Sequence, residues 1–516
     1  MLKFIKLYIL EILFSLVFLT LSGILNLQFL EGANVNFTFS GHDEYLTVRE
    51  VFSILQPLSF KHFIMAIISG DVMYYGRIVF YIDALFAYLP YKIWGIEGMV
   101  YAIRMTHAIE LLSGVLLLSG FVKTSFGKFF ILFSTLILYY TVYFAMVPKP
   151  EPLQLLLLSI FLWKAHKANW HFGWHFIWLG IAYGAKFNVL AVLPLFFILP
   201  FIFGYKKIIG FLKSFVAFIV GLIIAIPSLL LVPIKPIFLR TYIDNTFGRA
   251  QHYDDTVVSL FDWIKIGWLG AYSGGLWIGF ALLILIIWGL INGIKKYWTR
   301  QLISSELIIL IVGLGFLLPV MLFTERIWPH YLWTGHVFLL LSISVLLNHI
   351  EFKPIYLVLM TIVVIGGIIS VKSQGSHLFS LQKQSKQLIE DSKNAHTYLL
   401  KKNNKMICVQ DISVFYPFKE MLKINPYHPF ASKLPLENND YKINWTDFIN
   451  PKNLEMMKAD FLITNKTNFD ESSHQIFTEK DRLIETDNAL MRSEIGKTIL
   501  LDSVIGHIKI YKIIHD

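Results

Sequence analysis

The stretch "SGHDEYLTVREV", residues 40–51, contains three adjacent polar groups, His42, Asp43 and Glu44. It follows an apolar segment, residues 5–27, that is long enough to cross a bilayer, since a spanning helix needs about 20 mostly apolar residues. Two carboxylates near the end of such a helix are either a helix cap or part of a polar site. The side of the membrane that they face decides what a polar site could act on.

The composition predicts an integral membrane protein. Of the 516 residues, 56% are hydrophobic and only 16% are charged, whereas about 25% of the residues of a soluble domain are charged. The net charge of +10 lies largely in short clusters between apolar runs, where positive charge sets membrane topology. We therefore expect membrane lipids as partners and no nucleic acid. The single cysteine, Cys408, excludes an intrachain disulfide and a multi-cysteine metal site.

Apolar runs of spanning length predict about eleven transmembrane helices. They cover residues 5–27, 99–121, 128–147, 152–165, 170–185, 187–204, 212–233, 274–294, 303–323, 331–348 and 354–371.

One further segment, residues 74–95, is apolar but contains Arg77, Asp83 and Pro90. If it lies on the membrane surface, all six basic clusters between the apolar runs fall on the side of the N-terminus. Short cytoplasmic loops collect Lys and Arg, so we predict a surface helix here and a cytoplasmic N-terminus. The first outer loop, 28–98, and the tail then face the extracytoplasmic side.

The tail has a different character from the rest of the chain. Residues 373–516 are polar, with three short apolar runs, 405–410, 460–464 and 507–514, that are typical of strands. We predict a transmembrane domain over residues 1–372 and a small extracytoplasmic α/β domain over 373–516.

Two outer acidic groups are candidates for catalysis. Asp43, supported by Glu44, could act as a general base on an attacking hydroxyl, or it could cap the helix that follows. Glu151 lies between prolines in "PKPEP", next to hydrocarbon, where a charge is costly unless it is used or paired. Pairing with Lys149 is its alternative.

Basic groups at the same face are candidates for a functional site: Lys186 and Arg326 for binding a phosphate, and His107 for contacting substrate. Lys186 lies in a tight outer junction, and a lysine that snorkels to the interface is the alternative. Arg104 and His107 share one helix face inside a span, where an arginine suggests function, and pairing with Glu110 or Glu97 is the alternative. Arg326 could bind a phosphate bidentately.

Three further outer residues are candidates for substrate contacts. His330 and Tyr331 follow Arg326 in "TERIWPHY", and Arg249 lies in the polar loop 234–273. The sequence has no phosphate-binding P-loop, no dinucleotide fingerprint, no HExxH and no GxSxG. A soluble nucleotide substrate is therefore not indicated.

Six ordered elements resemble the GT-C glycosyltransferases, in particular the branch of protein O-mannosyltransferases and the lipid A aminoarabinose transferase. They are "HDEYLTVREV", "YYGRIVFYIDALFAYLPYKIWG", "IRMTHAIELLSG", "KPEPLQLLLL", "GAKFNVLAVLPL" and "RIWPHYLWTG", and together they span about residues 1–370. The sequence departs from the family pattern in two places, and both bear on the identity of the sugar and the acceptor. "MYYGR" stands where the family usually has Pro-Pro before the second juxtamembrane helix, and "KPEP" stands in place of the Asp motif of the aminoarabinose transferase.

The resemblance implies inverting transfer of a sugar from a polyprenyl-phosphate donor to a lipid, glycan or protein acceptor outside the cytoplasm. It implies that Asp43 is the base, that Glu151 is the second acidic loop residue, and that Lys186, Arg104 and Arg326 hold the phosphate. No cofactor is indicated, and a divalent metal stays open because related oligosaccharyltransferases use one. A bacterial plasma membrane is the expected location.

A transporter or flippase of lipid-linked sugars is the alternative function. Transporters commonly have inverted repeats and sites near the bilayer midplane. Here the polar groups gather at one face and no repeat is visible, which favours the transferase.

Overall fold

A computed structural model shows a mostly helical chain followed by a small sheet. The residues that the structure describes are 2–28, 42–57, 59–68, 76–205, 207–230, 261, 263–268, 271–272, 276–300, 305–323, 329–347, 353–402, 406–411, 436–438, 441–446, 460–464 and 499–514.

The α-helices within these ranges are numbered in chain order. They are α1 (Leu2–Gln28), α2 (His42–Leu55), α3 (Phe60–Ile68), α4 (Arg77–Ser119), α5 (Ser125–Ser134), α6 (Tyr139–Phe144), α7 (Glu151–Lys167), α8 (Phe176–Ala185), α9 (Leu193–Ile202), α10 (Ile208–Ala225), α11 (Leu276–Arg300), α12 (Ser305–Phe323), α13 (Trp333–Leu346) and α14 (Lys353–Lys402).

Apolar helices dominate the first part of the chain. Among the described residues, four segments are long and apolar enough to cross a bilayer: Tyr8–Asn26, Arg77–Ser119, Ile208–Ala225 and Val358–Ser376. Six shorter apolar helices accompany them, and each of the eleven predicted segments contains helix. The predicted fold class, a polytopic helical membrane protein with a small C-terminal α/β part, is confirmed, while the count of eleven crossings stays a prediction.

A kink at Gly95 divides α4. Gly95 has φ 70°, in the left-handed region that glycine enters without steric cost, and the helix continues on both sides of it. The kink separates the segment predicted to lie on the surface from the segment predicted to span. Leu85, Leu89 and Trp94 on the first part are between 63% and 73% exposed, as expected for a helix with one face toward lipid.

Close backbone contacts hold the central helices together. A Cβ at Gly180 of α8 would lie 2.0 Å from the carbonyl oxygen of Phe218 in α10, and one at Gly221 would lie 2.1 Å from that of Ile177. Small residues allow this approach in membrane helices, where van der Waals packing drives association. The C-terminal end of α8 is therefore fixed against α10.

The tail forms a six-stranded mixed sheet among the described residues. Its strands are β1 (Met406–Asp411), β2 (Leu436–Asn438), β3 (Tyr441–Thr446), β4 (Phe461–Thr464), β5 (Ile499–Ile505) and β6 (Ile508–Ile513), in the order β2-β3-β1-β4-β6-β5. β1 pairs in parallel with β3 and β4, whereas β6 is antiparallel to β4 and β5. The three predicted strands correspond to β1, β4 and β6.

The described chain divides into two compact units. The first contains α1, α4 to α13 and the first part of α14. The second contains α2, most of α3, the remainder of α14 and the sheet, and the division within α14 follows His377. The domain boundary predicted at residue 372 lies within this 50-residue helix.

An ion pair and two hydrogen bonds to a carboxylate join α14 to the β5–β6 hairpin. Lys402 contacts Asp502 at 2.6 Å, and Asp391 accepts hydrogen bonds at 2.8 Å from the backbone amide and the ring of His507. Burial alone would raise the pKa of the Asp391 carboxyl, but the bonds from His507 and from Gln387 outweigh it and lower that pKa.

A lowered pKa makes the Asp391 contact pH-dependent. Its contribution to stability is present above the unfolded-state pKa of about 3.9 and is lost as the pH falls through the lower folded-state pKa.

At pH 7, Asp391→Asn should weaken amide exchange protection in β5 and β6 by about 1.5–3 kcal/mol, the range for hydrogen bonds to a charged group. The difference from wild type should vanish below the folded-state pKa. Exchange mass spectrometry measures it, with the exposed neighbour Glu390→Gln as the control, and equal protection at pH 7 would contradict this account.

Candidate functional site

Glu151 is the first residue of α7, and its position follows from the prolines around it. Pro150 is the N-cap and Pro152 lies in the first turn, where the missing N–H costs nothing and the fixed φ suits a helix. An acidic residue in the first turn also interacts favourably with the helix dipole. The side chain of Glu151 is fully buried, so its charge needs a partner.

That partner is Lys186. It is the C-cap of α8, with extended backbone (φ −152°, ψ 129°), and its side chain is only 10% exposed. Its ammonium donates to Oε1 of Glu151 and lies 4.7 Å from the ring centroid of Tyr331. The structure thus brings together three residues that were predicted separately.

Buried polar groups surround the Glu151–Lys186 ion pair. Gln154, one turn after Glu151, donates to the carbonyl oxygen of Lys186 at 3.0 Å and to the amide oxygen of Asn188. The hydroxyl of Thr334 in α13 donates to Gln154 at 3.3 Å. Gln154 and Thr334 are fully buried. These hydrogen bonds fix the backbone that carries Lys186.

A second buried cluster lies on both sides of the kink in α4. His107 Nε2 is 3.1 Å from Asp83 Oδ2, and His107 Nδ1 is 3.6 Å from Glu110 Oε2. All three side chains are buried. The ring of His107 also lies beside the backbone of Lys149, two residues before Glu151. His107 therefore lies between Asp83 and Glu110, while the predicted alternative of an Arg104 pair with Glu110 or Glu97 stays open.

Two arginines of α4 are buried as well. Arg104 lies one turn before His107 and is fully buried. Arg77 begins α4, is stacked on Phe80 at 4.8 Å and is hydrogen-bonded to Tyr81. A Cβ at Gly76 would lie 2.2 Å from the carbonyl oxygen of Gly184, so α4 begins against the last turn of α8. This places Arg77 near the part of the backbone that holds Lys186.

Other predicted site residues lie partly or wholly outside the residues that the structure describes. Asp43 and Glu44 are in the first turn of α2, which begins at His42, but their side chains lie outside the described residues, and so does that of His330. Arg249 and Arg326 lie wholly outside them. Their roles stay predictions.

Sequence reasoning missed several buried polar residues. Gln154 and Asn188 carry no charge, and only their spacing of three and two residues from Glu151 and Lys186 could have indicated them. Arg49 and Glu50 of α2 form a buried pair at 3.4 Å, and the sequence alone did not single them out. Among the described residues, no group of three His, Cys, Asp or Glu side chains is arranged to hold a metal ion.

Comparison with known proteins identifies the fold. No family profile matches the sequence, and no curated protein matches it significantly. Two crystal structures of ArnT from Cupriavidus metallidurans, one bound to undecaprenyl phosphate and one in the apo state, superpose with a TM-score of 0.53 at 11% identity. Each match covers 97% of both chains. ArnT is the lipid A aminoarabinose transferase, a GT-C protein. The chain is therefore an integral membrane protein with the GT-C fold of this glycosyltransferase.

Proposed function

We propose that this protein is a glycosyltransferase that takes a sugar from a polyprenyl-phosphate-linked donor and passes it, with inversion, to a lipid, glycan or protein acceptor. The observation that carries the proposal is the buried Glu151–Lys186 ion pair between α7 and α8 on a GT-C fold. The undecaprenyl phosphate bound to ArnT supports a lipid phosphate as the leaving group.

The ion pair is better explained by function than by stability. Burying two charges costs about as much as their attraction returns, and apolar replacements are often more stable. A lysine held in a low-dielectric site, by contrast, can stabilise negative charge that builds on a leaving phosphate. Lys186 is already oriented by Glu151 and Tyr331, so little reorganisation is needed when the phosphate binds.

The transfer step needs one base to activate the acceptor and one cation to stabilise the leaving phosphate. A carboxylate removes the proton from the acceptor group, whose lone pair attacks the anomeric carbon. The bond from that carbon to the phosphate oxygen breaks, and the polyprenyl phosphate leaves with the electron pair. We assign Asp43 as the base with Glu44 in support, Lys186 as the phosphate ligand, and Arg104 and Arg326 as further candidates for the phosphate.

The chain's basic clusters support an orientation for the site. In the sequence, the cluster Lys206, Lys207 and Lys213 comes after the segment of α9, whereas Lys186 comes before it, and short cytoplasmic loops collect such residues. This supports a site on the extracytoplasmic face of a bacterial plasma membrane, where nucleotide sugars are absent and a lipid-linked donor is available. His330, Tyr331, His107 and Arg249 are proposed to contact substrate or to shape the site.

A Lys186 variant tests the phosphate ligand. Losing one charge-assisted contact to the phosphate costs about 1.5–3 kcal/mol, so Lys186→Met should raise the donor KM about ten- to a hundredfold, at 1.4 kcal/mol per tenfold. The assay is transfer from a radiolabelled polyprenyl-phosphate sugar by purified enzyme. Lys213→Met is the matched control, because Lys213 also lies over an aromatic ring, that of Trp174.

Lys186→Met leaves Glu151 buried without its counter-charge, which can destabilise the fold by about 3–5 kcal/mol. The double variant Glu151→Gln/Lys186→Met removes both charges and keeps the test valid. A donor KM equal to that of wild type in the folded double variant would show that Lys186 does not bind the phosphate.

An Asp43 variant tests the general base. Asp43→Asn preserves the shape of the side chain and removes the base, and general-base catalysis contributes about 10²–10⁴-fold. Turnover of the Asp43→Asn variant should fall at least a hundredfold, with donor KM and expression unchanged. Turnover of the Glu44→Gln variant should fall less. If the Asn variant turns over at nearly the wild-type rate, Asp43 serves only the first turn of α2.

A further inference from the structure

Two buried atoms of the network around Glu151 lack hydrogen bonds. Within the described part of the chain, neither Glu151 Oε2 nor Asn188 Nδ2 has a partner. Buried polar atoms are nearly always paired, and an exception asks for an explanation. Here one atom is an acceptor and the other a donor, and both belong to one network.

The neighbouring hydrogen bonds fix which atoms stay open. The side-chain nitrogen of Gln154 must donate to the carbonyl oxygen of Lys186, which can only accept. The same nitrogen donates to Asn188, so the oxygen of the Asn188 amide is used and its NH₂ group is open. Lys186 occupies Oε1 of Glu151 and leaves Oε2 open.

We propose that Glu151 and Asn188 bind hydroxyl groups of the transferred sugar, Glu151 as acceptor and Asn188 as donor, and that Asn188 determines sugar specificity. A hydroxyl both donates and accepts, so a neutral polyhydroxylated sugar satisfies both open atoms. The inference rests on the proposed function. With Lys186 at the phosphate, these hydroxyls belong to the sugar carbons near the anomeric centre.

The open amide of Asn188 favours a hydroxyl over an ammonium group. A hydroxyl offers an acceptor to this amide, whereas an ammonium group only donates. Glu151 Oε2 accepts from either group, so Asn188 is the residue that distinguishes a neutral sugar from an amino sugar.

The test compares donors on one enzyme variant at a time, which makes it insensitive to the amount of folded protein. The donors are a polyprenyl-phosphate hexose, its 2-deoxy analogue and the corresponding 2-amino sugar. Wild type should prefer the hexose to the deoxy analogue by about 10–100-fold in kcat/KM, the loss expected for hydrogen bonds that include a charged group.

Asn188→Ala should lower kcat/KM about tenfold for the hexose and leave the deoxy analogue unchanged, so that discrimination collapses. Asn188→Asp keeps the shape but replaces the donor with a negative acceptor. It should therefore shift preference toward the amino sugar at least tenfold. Equal losses on hexose and deoxy analogue in both variants would overturn the inference while the proposed function stands. If wild type transfers no sugar from any polyprenyl-phosphate donor, the proposed function and this inference fail together.

Discussion

The buried pair of Glu151 and Lys186 is the constraint on which the rest of the site depends. Glu151 begins α7 and Lys186 ends α8. An anion at a helix N-terminus and a cation at a helix C-terminus each interact favourably with the helix dipole. Both are nevertheless held where water is largely excluded, and removing either would leave an uncompensated charge at a cost of about 3–5 kcal/mol. Under the proposed function these charges are used, because a transferase that expels a phosphate needs a fixed cation.

The surrounding backbone explains how this pair is held in place. Gly180 and Gly221 let α8 and α10 approach until backbone contacts backbone, and Gly76 brings the start of α4 against the end of α8. Gln154 then fixes the carbonyl of Lys186. The Asp83–His107–Glu110 cluster joins the two parts of α4 across the kink at Gly95 and contacts the loop before Glu151. Packing and hydrogen bonding together determine where Lys186 points.

The sequence predicted the fold class and the strands β1, β4 and β6, and it singled out Glu151 and Lys186 as candidates, because these follow from hydropathy, strand-like runs and the cost of a charge near hydrocarbon. It did not predict that Glu151 and Lys186 are partners, since they are 35 residues apart and only the packing of α7 against α8 brings them together. Gln154 and Asn188 were missed for a related reason: an uncharged amide carries no signal until its neighbours are known. β5 was missed because "ILLDSVI" is interrupted by polar residues.

The most direct test of the central claim is binding of the leaving group itself. A ligand that binds only the folded protein stabilises it by RT ln(1 + [L]/Kd), about 2.7 kcal/mol at a hundredfold excess over Kd. Thermal unfolding of the purified wild-type protein should therefore be shifted upward by undecaprenyl phosphate and much less by undecaprenol, which has the same chain without the phosphate. Equal shifts with the two lipids would show that the protein binds the chain alone, and would contradict a site built around Lys186 for a lipid-linked phosphate.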